Sequence, residues 1–335
     1  MSNEVIVGPV AISGRVWLAP MTGVTDLPFR RAAVRLGAPY VATEMVACES
    51  LIAARPEMVR RAAVGDGLPL VVIQLVGGDA GAIRGAAAMA AAAGAAIVDL
   101  NFGCPAKSVT GVACGSALMR DLDVAEGLIA AAVEGSDLPV TVKMRLGWDD
   151  RTKNAPELAA RAQAAGAAAI TVHGRTRQQF YAGIADWSAV AAIKAAVDLP
   201  VIVNGDVVDL ASARAALEQS GADAVMIGRG ALGRPWIAAA IEAGLSGHPL
   251  REPDSEERTD IVLEHLADST RFYGEKLGAR MFRKHLSAYI DHAPWPCSPE
   301  ARRAARARLC RLESPREIAS ALMSLWGRPM DRLAA

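Results

Sequence analysis

Two of the chain's five cysteines fall in one stretch, DLNFGCPAKSVTGVACGSALM (Asp99–Met119). Cys104 lies just past a very apolar run, and Gly103 and Pro105 define a tight turn around it. A thiol so placed can serve as nucleophile or as general acid, depending on how far nearby cations loosen its proton. Cys114 precedes Gly115-Ser116-Ala117 and reads as a small packing residue whose thiol could oxidise. Cys48, Cys297 and Cys310 have no polar array around them and take no role. The chain has no CxxC pair, no GxSxG elbow and no metal-ligand spacing of Asp, Glu or His, so no metal is expected.

A second group of residues points to an anionic ligand. In VKMRLG and ITVHGR, Lys143 with Arg145 and His173 with Arg175 stand two residues apart, so each pair shares one face of a strand. NGD (204–206) and GRG (228–230) place Asn204, Gly205, Asp206, Gly228 and Gly230 at the ends of two later strands. Glycines there admit close backbone approach to an oxyanion, and Arg229 adds a charge. Loops after the last two strands of a barrel often hold phosphate this way. Pro20-Met21-Thr22, Glu44, Gln74 and Asn101 end the earlier strands.

The elements that must position these residues are legible. Apolar, β-rich runs occupy 15–20, 39–45, 68–77, 95–101, 138–147, 167–175, 199–206 and 222–230. Helical patterns fill 80–93, 124–135, 155–165, 188–197, 209–219 and 232–243. Continuous apolar strands alternating with helices imply a parallel sheet covered by helices. Eight such units in about 240 residues fit an α/β (β/α)8 TIM barrel better than an open sheet, with the polar strand ends gathered at its C-terminal mouth. Beyond Leu245 the pattern changes. Residues 246–257 form a polar connector, and 258–274, 276–291, 299–312 and 314–326 read as helices without strands. The expected organisation is a catalytic barrel over 1–245, a linker over 246–257 and a smaller all-helical domain over 258–335.

The 335 residues are 52% apolar, ample for a large core, and the formal net charge is zero. That balance hides an asymmetry. Of 36 Lys/Arg and 36 Asp/Glu, residues 271–335 hold 13 and 6, leaving 23 and 30 in front. A basic tail behind an acidic front suggests an anionic partner. The N-terminus has no basic-then-apolar leader and no uncharged run is long enough to span a bilayer. A cytoplasmic protein with reduced thiols and no membrane partner is expected. No signal fixes the oligomeric state, and a monomer is the simplest expectation.

The segments APMTGVTDLPFR, IQLVG, DLNFGCPAKSV, VKMRLGW, ITVHGRTR, VIVNGD and MIGRGALGRPW, taken together and in order, resemble the tRNA-dihydrouridine synthases. RKHLSAYIDHAP (283–294) is similar to the bacterial DusB-type branch. The likeness runs from about residue 14 to 294. It implies a flavoprotein with FMN in a TIM barrel, NADPH as reductant and tRNA as substrate. FMN would pass a hydride to C6 of a D-loop uridine and Cys104 a proton to C5, giving 5,6-dihydrouridine. By the same resemblance Pro20, Met21, Thr22, Gln74, Lys143 and His173 contact the flavin, and Asn204, Gly205, Asp206, Gly228 and Arg229 hold its phosphate. Asn101 would meet the uracil. Arg145 and Arg175 at the mouth, and Arg302, Arg303 and Arg306 on a basic helix, are candidate tRNA contacts. Cys114 departs from the family, which more often has Gly or Ala there.

Two other readings use the same residues. A free-pyrimidine flavoenzyme would share the barrel but leave the basic helices without a purpose. An RNA-binding protein with a vestigial barrel would not need Gln74, Cys104, Lys143 and His173 together.

Overall fold

The computed structural model describes residues 3–106, 109 and 114–326. Part of the loop between Cys104 and Cys114, and the last nine residues of the expected helical region, lie outside the described residues.

The chain opens with a hairpin, β1 (Glu4–Val7) and β2 (Val10–Ser13), which the sequence reading did not foresee. Eight parallel strands follow: β3 (Val16–Leu18), β4 (Val46–Ala47), β5 (Val72–Val76), β6 (Ile97–Phe102), β7 (Val140–Arg145), β8 (Ala169–His173), β9 (Val201–Asn204) and β10 (Ala224–Ile227). Each of the eight expected runs supplies sheet residues. The sheet curls until β3 meets the stretch before β4, through a parallel bridge Leu18–Val41 and a 2.9 Å bond from the Leu18 amide to the Tyr40 carbonyl. The second strand is broken there. The Thr43 hydroxyl, rather than a carbonyl, accepts the Gln74 amide at 3.0 Å, so the ladder is interrupted before β4 resumes it.

The strands have two faces, and period two sorts them. Residues such as Ile73, Leu75, Val98, Leu100, Val142, Met144, Ile170 and Val172 are buried in the large cluster shared with the surrounding helices. The alternate residues fill the lumen. At its floor lie Val72, Ile97, Ala169, Ile202 and Ala224, packed with Trp17, Tyr40 and the hairpin residues Val5, Val7 and Ile12. Trp17 stacks on Tyr40 with centroids 4.3 Å apart. The hairpin therefore plugs the bottom of the barrel. Two residues up each strand the lumen turns polar, with Gln74, Asp99, Thr141 and Thr171. Two further up stand Asn101, Lys143, His173 and Asn204, paired by register as Asn101–Lys143 and His173–Asn204.

Helices Ser255–Tyr273, Glu275–His292, Pro299–Leu309 and Pro315–Leu325 form the C-terminal part, with their own core around Phe282, Leu286, Leu309 and Leu322. The first starts inside the expected linker, because Asp254 caps it in a reciprocal box with Glu257. This part docks on the helix Leu27–Arg35, also unforeseen. Phe29 stacks on His285 at 5.3 Å and lies 6.0 Å from His265, and Arg35 pairs with Glu264 at 2.5 Å. No helix among the described residues is long and apolar enough to cross a membrane.

Candidate active site at the barrel mouth

The site is built on the buried Asp99 of β6. Its carboxylate accepts from Thr141 Oγ1 at 2.6 Å and from Gln74 Nε2 at 2.7 Å. Burial raises its pKa to about 6 despite these donors. Gln74 Oε1 in turn accepts from Asn101 Nδ2 at 2.8 Å. Asn101 Oδ1 accepts the amides of Gly103 at 3.2 Å and Cys104 at 2.8 Å. A chain of side-chain amides thus runs from the lumen to the turn carrying the thiol. Ser116 holds the same turn from the other side. Its amide and hydroxyl both donate to the Cys104 carbonyl, at 3.0 and 2.9 Å. Gly115, at φ +62°, makes that approach possible: a Cβ there would stand 2.7 Å from Val109 Cγ1 and 2.9 Å from the Cys104 oxygen.

The two cysteines part company here. Cys104 is half-buried, whereas Cys114 is buried, its thiol 3.2 Å from the Val109 carbonyl and pushed up to about 11 by burial.

Lys143 reaches past β8 to donate to Asn204 Oδ1 at 3.0 Å, and Asn204 Nδ2 donates to the Met226 carbonyl at 2.7 Å. Burial lowers the Lys143 ammonium to about 8. His173 is neutral: burial first, then Lys143, Arg145, Arg175 and Arg229, hold its pKa well below the usual value. Arg175 has only donors, so its 3.3 Å contact with His173 Nε2 makes that nitrogen the acceptor and leaves the proton on Nδ1. Gly205, at φ +112°, lets the β9 end close on this ring, since a Cβ would lie 3.0 Å from His173 Cδ2. Asp206, also in the left-handed region, accepts from Arg175 at 2.5 Å and faces Arg229 at 3.6 Å. Burial works against its charge, but the Arg175 hydrogen bond and the Ala185 amide outweigh it and hold its pKa below the usual range.

Several residues expected to touch a ligand are occupied within the protein. Arg175 is 1% exposed and spends Nε, Nη1 and Nη2 on the Ala182 carbonyl, His173, the Gly183 carbonyl and Asp206. It shapes the mouth, with four of its five N–H donors spent inside the protein. Arg145 binds the carbonyls of Gly103, Thr176 and Phe180 through Nε and Nη1, which leaves Nη2 for a ligand. Asn101 has its oxygen engaged, one N–H on Gln74 and the other in a weak 3.7 Å contact with Met45 Sδ, so a base would meet it by displacing that sulfur or another bond. Arg302 turns inward. Its guanidinium ties down the carbonyls of Ile290, Asp291, Ala293 and Trp295, ending the helix Glu275–His292. Arg306 pairs with Asp291 at 2.9 Å and Arg303 with Glu300 at 2.9 Å. Pro20 and Met21 are half-buried beside β10, while Thr22 is exposed with its carbonyl 3.4 Å from Lys284 Nζ.

Asp99, Ser116 and Tyr181 belong to the site without having been singled out. A lone Asp inside AAIVDLN was the available signal for the first. Tyr181 lies under Arg145 and Arg229, with centroid distances of 5.6 and 5.0 Å. Away from the mouth, Asp26, His265 and His285 converge within 4.8 Å, from positions too far apart to suggest a metal cluster in sequence. The Asp26 oxygens already accept from the Phe29 amide and the Tyr273 hydroxyl, each at 3.1 Å.

Two features fit a bound flavin mononucleotide, one for its ring and ribityl region and one for its phosphate. Of the three N–H donors on Lys143, one meets Asn204. Gly228 needs no left-handed backbone, and a Cβ there would have only Met21 Sδ and Ala19 Cβ near it, at 3.9 and 4.0 Å. That leaves open room between strand-end residues.

A sequence profile described as Dihydrouridine synthase (Dus) matches residues 17–316. A probable tRNA-dihydrouridine synthase of Rhodobacter capsulatus is 52% identical over 292 residues, 86% of this chain and 90% of the relative. tRNA-dihydrouridine synthase B of Pseudomonas putida is 45% identical over 294 residues, 87% of each. Among solved structures, a morphinone reductase variant in complex with tetrahydroNAD aligns with TM-score 0.53 at 15% identity, over 77% of this chain and 93% of that one. It shares the barrel fold.

Proposed function

Since the chain belongs to the dihydrouridine synthase family, we propose that it reduces the C5=C6 bond of uridines in the D-loop of tRNA, using FMN and NADPH, as a cytoplasmic enzyme. The observation that carries this reading is one tier of the lumen. Asn101, Lys143, His173 and Asn204 converge there, with the Cys104 turn tied to Asn101.

Lys143, His173, Asn204 and the Met21–Gly228 gap would hold the cofactor, and Arg229 would add charge near its phosphate. Bound reduced FMN would supply the hydride that goes to C6 of uracil. Cys104 Sγ then delivers its proton to C5. The thiol must stay protonated until that moment, so a turn fixed by amide and hydroxyl bonds, with no base hydrogen-bonded to the thiol among the described residues, suits an acid rather than a nucleophile. Neutral His173 can accept or donate without adding a fifth positive charge beside Lys143, Arg145, Arg175 and Arg229. The target base must leave its stack to reach the lumen. The division into a barrel (1–245), a connector (246–257) and a helical tRNA-binding part (258–335) belongs to the same proposal, with Arg303 and Arg306 as its candidate contacts.

The test is position-resolved dihydrouridine mapping in tRNA from a deletion strain, complemented with wild type or Cys104→Ala. Loss of dihydrouridine at defined D-loop positions, restored by wild type alone, is expected. Unchanged dihydrouridine at every site overturns the reading.

A further inference from the structure

Three successive mouth loops meet in a cation–aromatic stack that the flavin reading leaves unused. Arg120 ends the short helix Gly115–Arg120 after β6, Trp148 follows β7, and Arg177 follows β8. The Arg120 guanidinium lies 4.9 Å from the Trp148 ring centroid, and that of Arg177 lies 4.7 Å from it. Arg177 is also 5.7 Å from the Phe180 ring. The loops are clamped in place. The amides of Arg177 and Gln178 donate to the carbonyls of Gly147 and Trp148, each at 2.9 Å.

Among the described residues, neither guanidinium forms an ion pair with a carboxylate, and Arg177 Nε is buried without a partner. Two positive groups are thus held close together over one indole, with no carboxylate paired to either among the described residues. Stacking fixes a guanidinium plane while leaving its N–H edge free, and a planar edge of that kind matches phosphate oxygens. On the helical part, Arg302 is spent on carbonyls of its own region, while Arg303 and Arg306 are held in exposed ion pairs with Glu300 and Asp291. The stack is also joined to the chemistry, because Ser116, in the helix that Arg120 ends, holds the Cys104 carbonyl.

We propose that Arg120 and Arg177, stacked on Trp148, grip two backbone phosphates of the RNA strand beside the reacting nucleotide. This rests on the reading of the chain as a tRNA-modifying enzyme. Exposed Phe180 and Tyr181, 39% and 50% accessible, continue the same rim and offer ring faces to flanking bases.

The experiment measures binding of an unmodified tRNA transcript by fluorescence anisotropy across 50 to 200 mM KCl, for wild type, Arg120→Gln, Arg177→Gln and the double variant, with Tm recorded for each. The double variant should weaken binding roughly tenfold and lower the log–log salt slope by about 2, near one per lost phosphate contact. Each single variant should lower it by about 1, and these are read if the double fails to fold. Wild-type affinity and slope in folded variants overturn the proposal. A wild-type chain that forms no dihydrouridine overturns the functional reading instead, and dihydrouridine formed alongside unchanged variant binding overturns only the grip.

Discussion

The Cys104 amide donates to Asn101 Oδ1 at 2.8 Å, so the residue proposed as the acid is tethered to the top of the strand that precedes it. The same oxygen accepts Gly103, and Ser116 accounts for the Cys104 carbonyl. Backbone on both sides of the thiol is fixed while the side chain itself is left half-buried. The thiol can therefore be removed without disturbing what positions it.

Cys104→Ala should lower dihydrouridine formation by about 10² to 10⁴, the usual worth of a general acid. Flavin content and tRNA affinity should stay as in wild type. Single-turnover kinetics with the 450 nm flavin spectrum checks this. Loss of flavin in the variant would make Cys104 a structural residue. Cys114→Ala, at a buried thiol raised to about 11, should keep wild-type turnover, and alkylation should reach Cys104 first.

Gly115→Ala should act as a positional lesion. Its Cβ meets Val109 and the Cys104 oxygen, and its backbone sits at φ +62°. Turnover should fall at least tenfold while flavin stays bound, because the clash is confined to the Cys104 loop. Unchanged kcat would show that the loop absorbs the added methyl group.

The proposed flavin contact of Lys143 should link cofactor binding to pH. Its pKa is lowered by burial from the ordinary 10.5 to about 8. The folded chain therefore holds fewer protons than the unfolded chain between those values, and apoprotein stability should rise with pH across that window. In the proposed site the charged ammonium donates to the flavin, so flavin affinity should fall as pH rises through about 8. Titrations of apoprotein with FMN from pH 6.5 to 9.5 test it, and a flat profile refutes the assignment. Lys143→Met should abolish the pH step together with most of the affinity.

Asp206→Asn should destabilise the fold by about 1.5–3 kcal/mol, measured by urea unfolding, because it leaves the buried Arg175 guanidinium without its charged partner. Asn tolerates the left-handed backbone at this position. The loss thus reports the charge and not the turn.

Acid should attack the join between barrel and helices. His265 and His285 are buried and held neutral, His285 down to about 3. Both depressions mean that stability present above pH 6.5 is lost as pH falls below it, since the unfolded chain takes up the protons first. His285→Phe should flatten the pH dependence of urea unfolding between 6.5 and 4. An unaltered slope would exonerate the pair.

Much of this was readable from sequence because barrel strands are local, and their ends announce themselves by a switch from apolar to polar residues. Gln74, Asn101, Lys143, His173 and Asn204 fell out that way. What escaped depends on contacts far along the chain. The four-residue strands of the hairpin are too short to show a period. Arg302 looks like a charge on a basic face and becomes a clamp on carbonyls 7 to 12 residues before it. Arg120, Trp148 and Arg177 sit in separate loops, and only strand order makes them neighbours. Asp254 and Glu257 could have moved the helix start, as their spacing writes a capping box.

The join around Phe29 has one more consequence. Barrel and helical part meet through Phe29 on His285, Tyr273 on Asp26 and the exposed pair Arg35–Glu264, and Arg258 ties the connector residues Glu252 and Pro253 to the end of the helix Glu275–His292. A lineage that needed to present a different uridine to the same lumen would have to rewrite those contacts, and lengthening the connector alone would leave them in place.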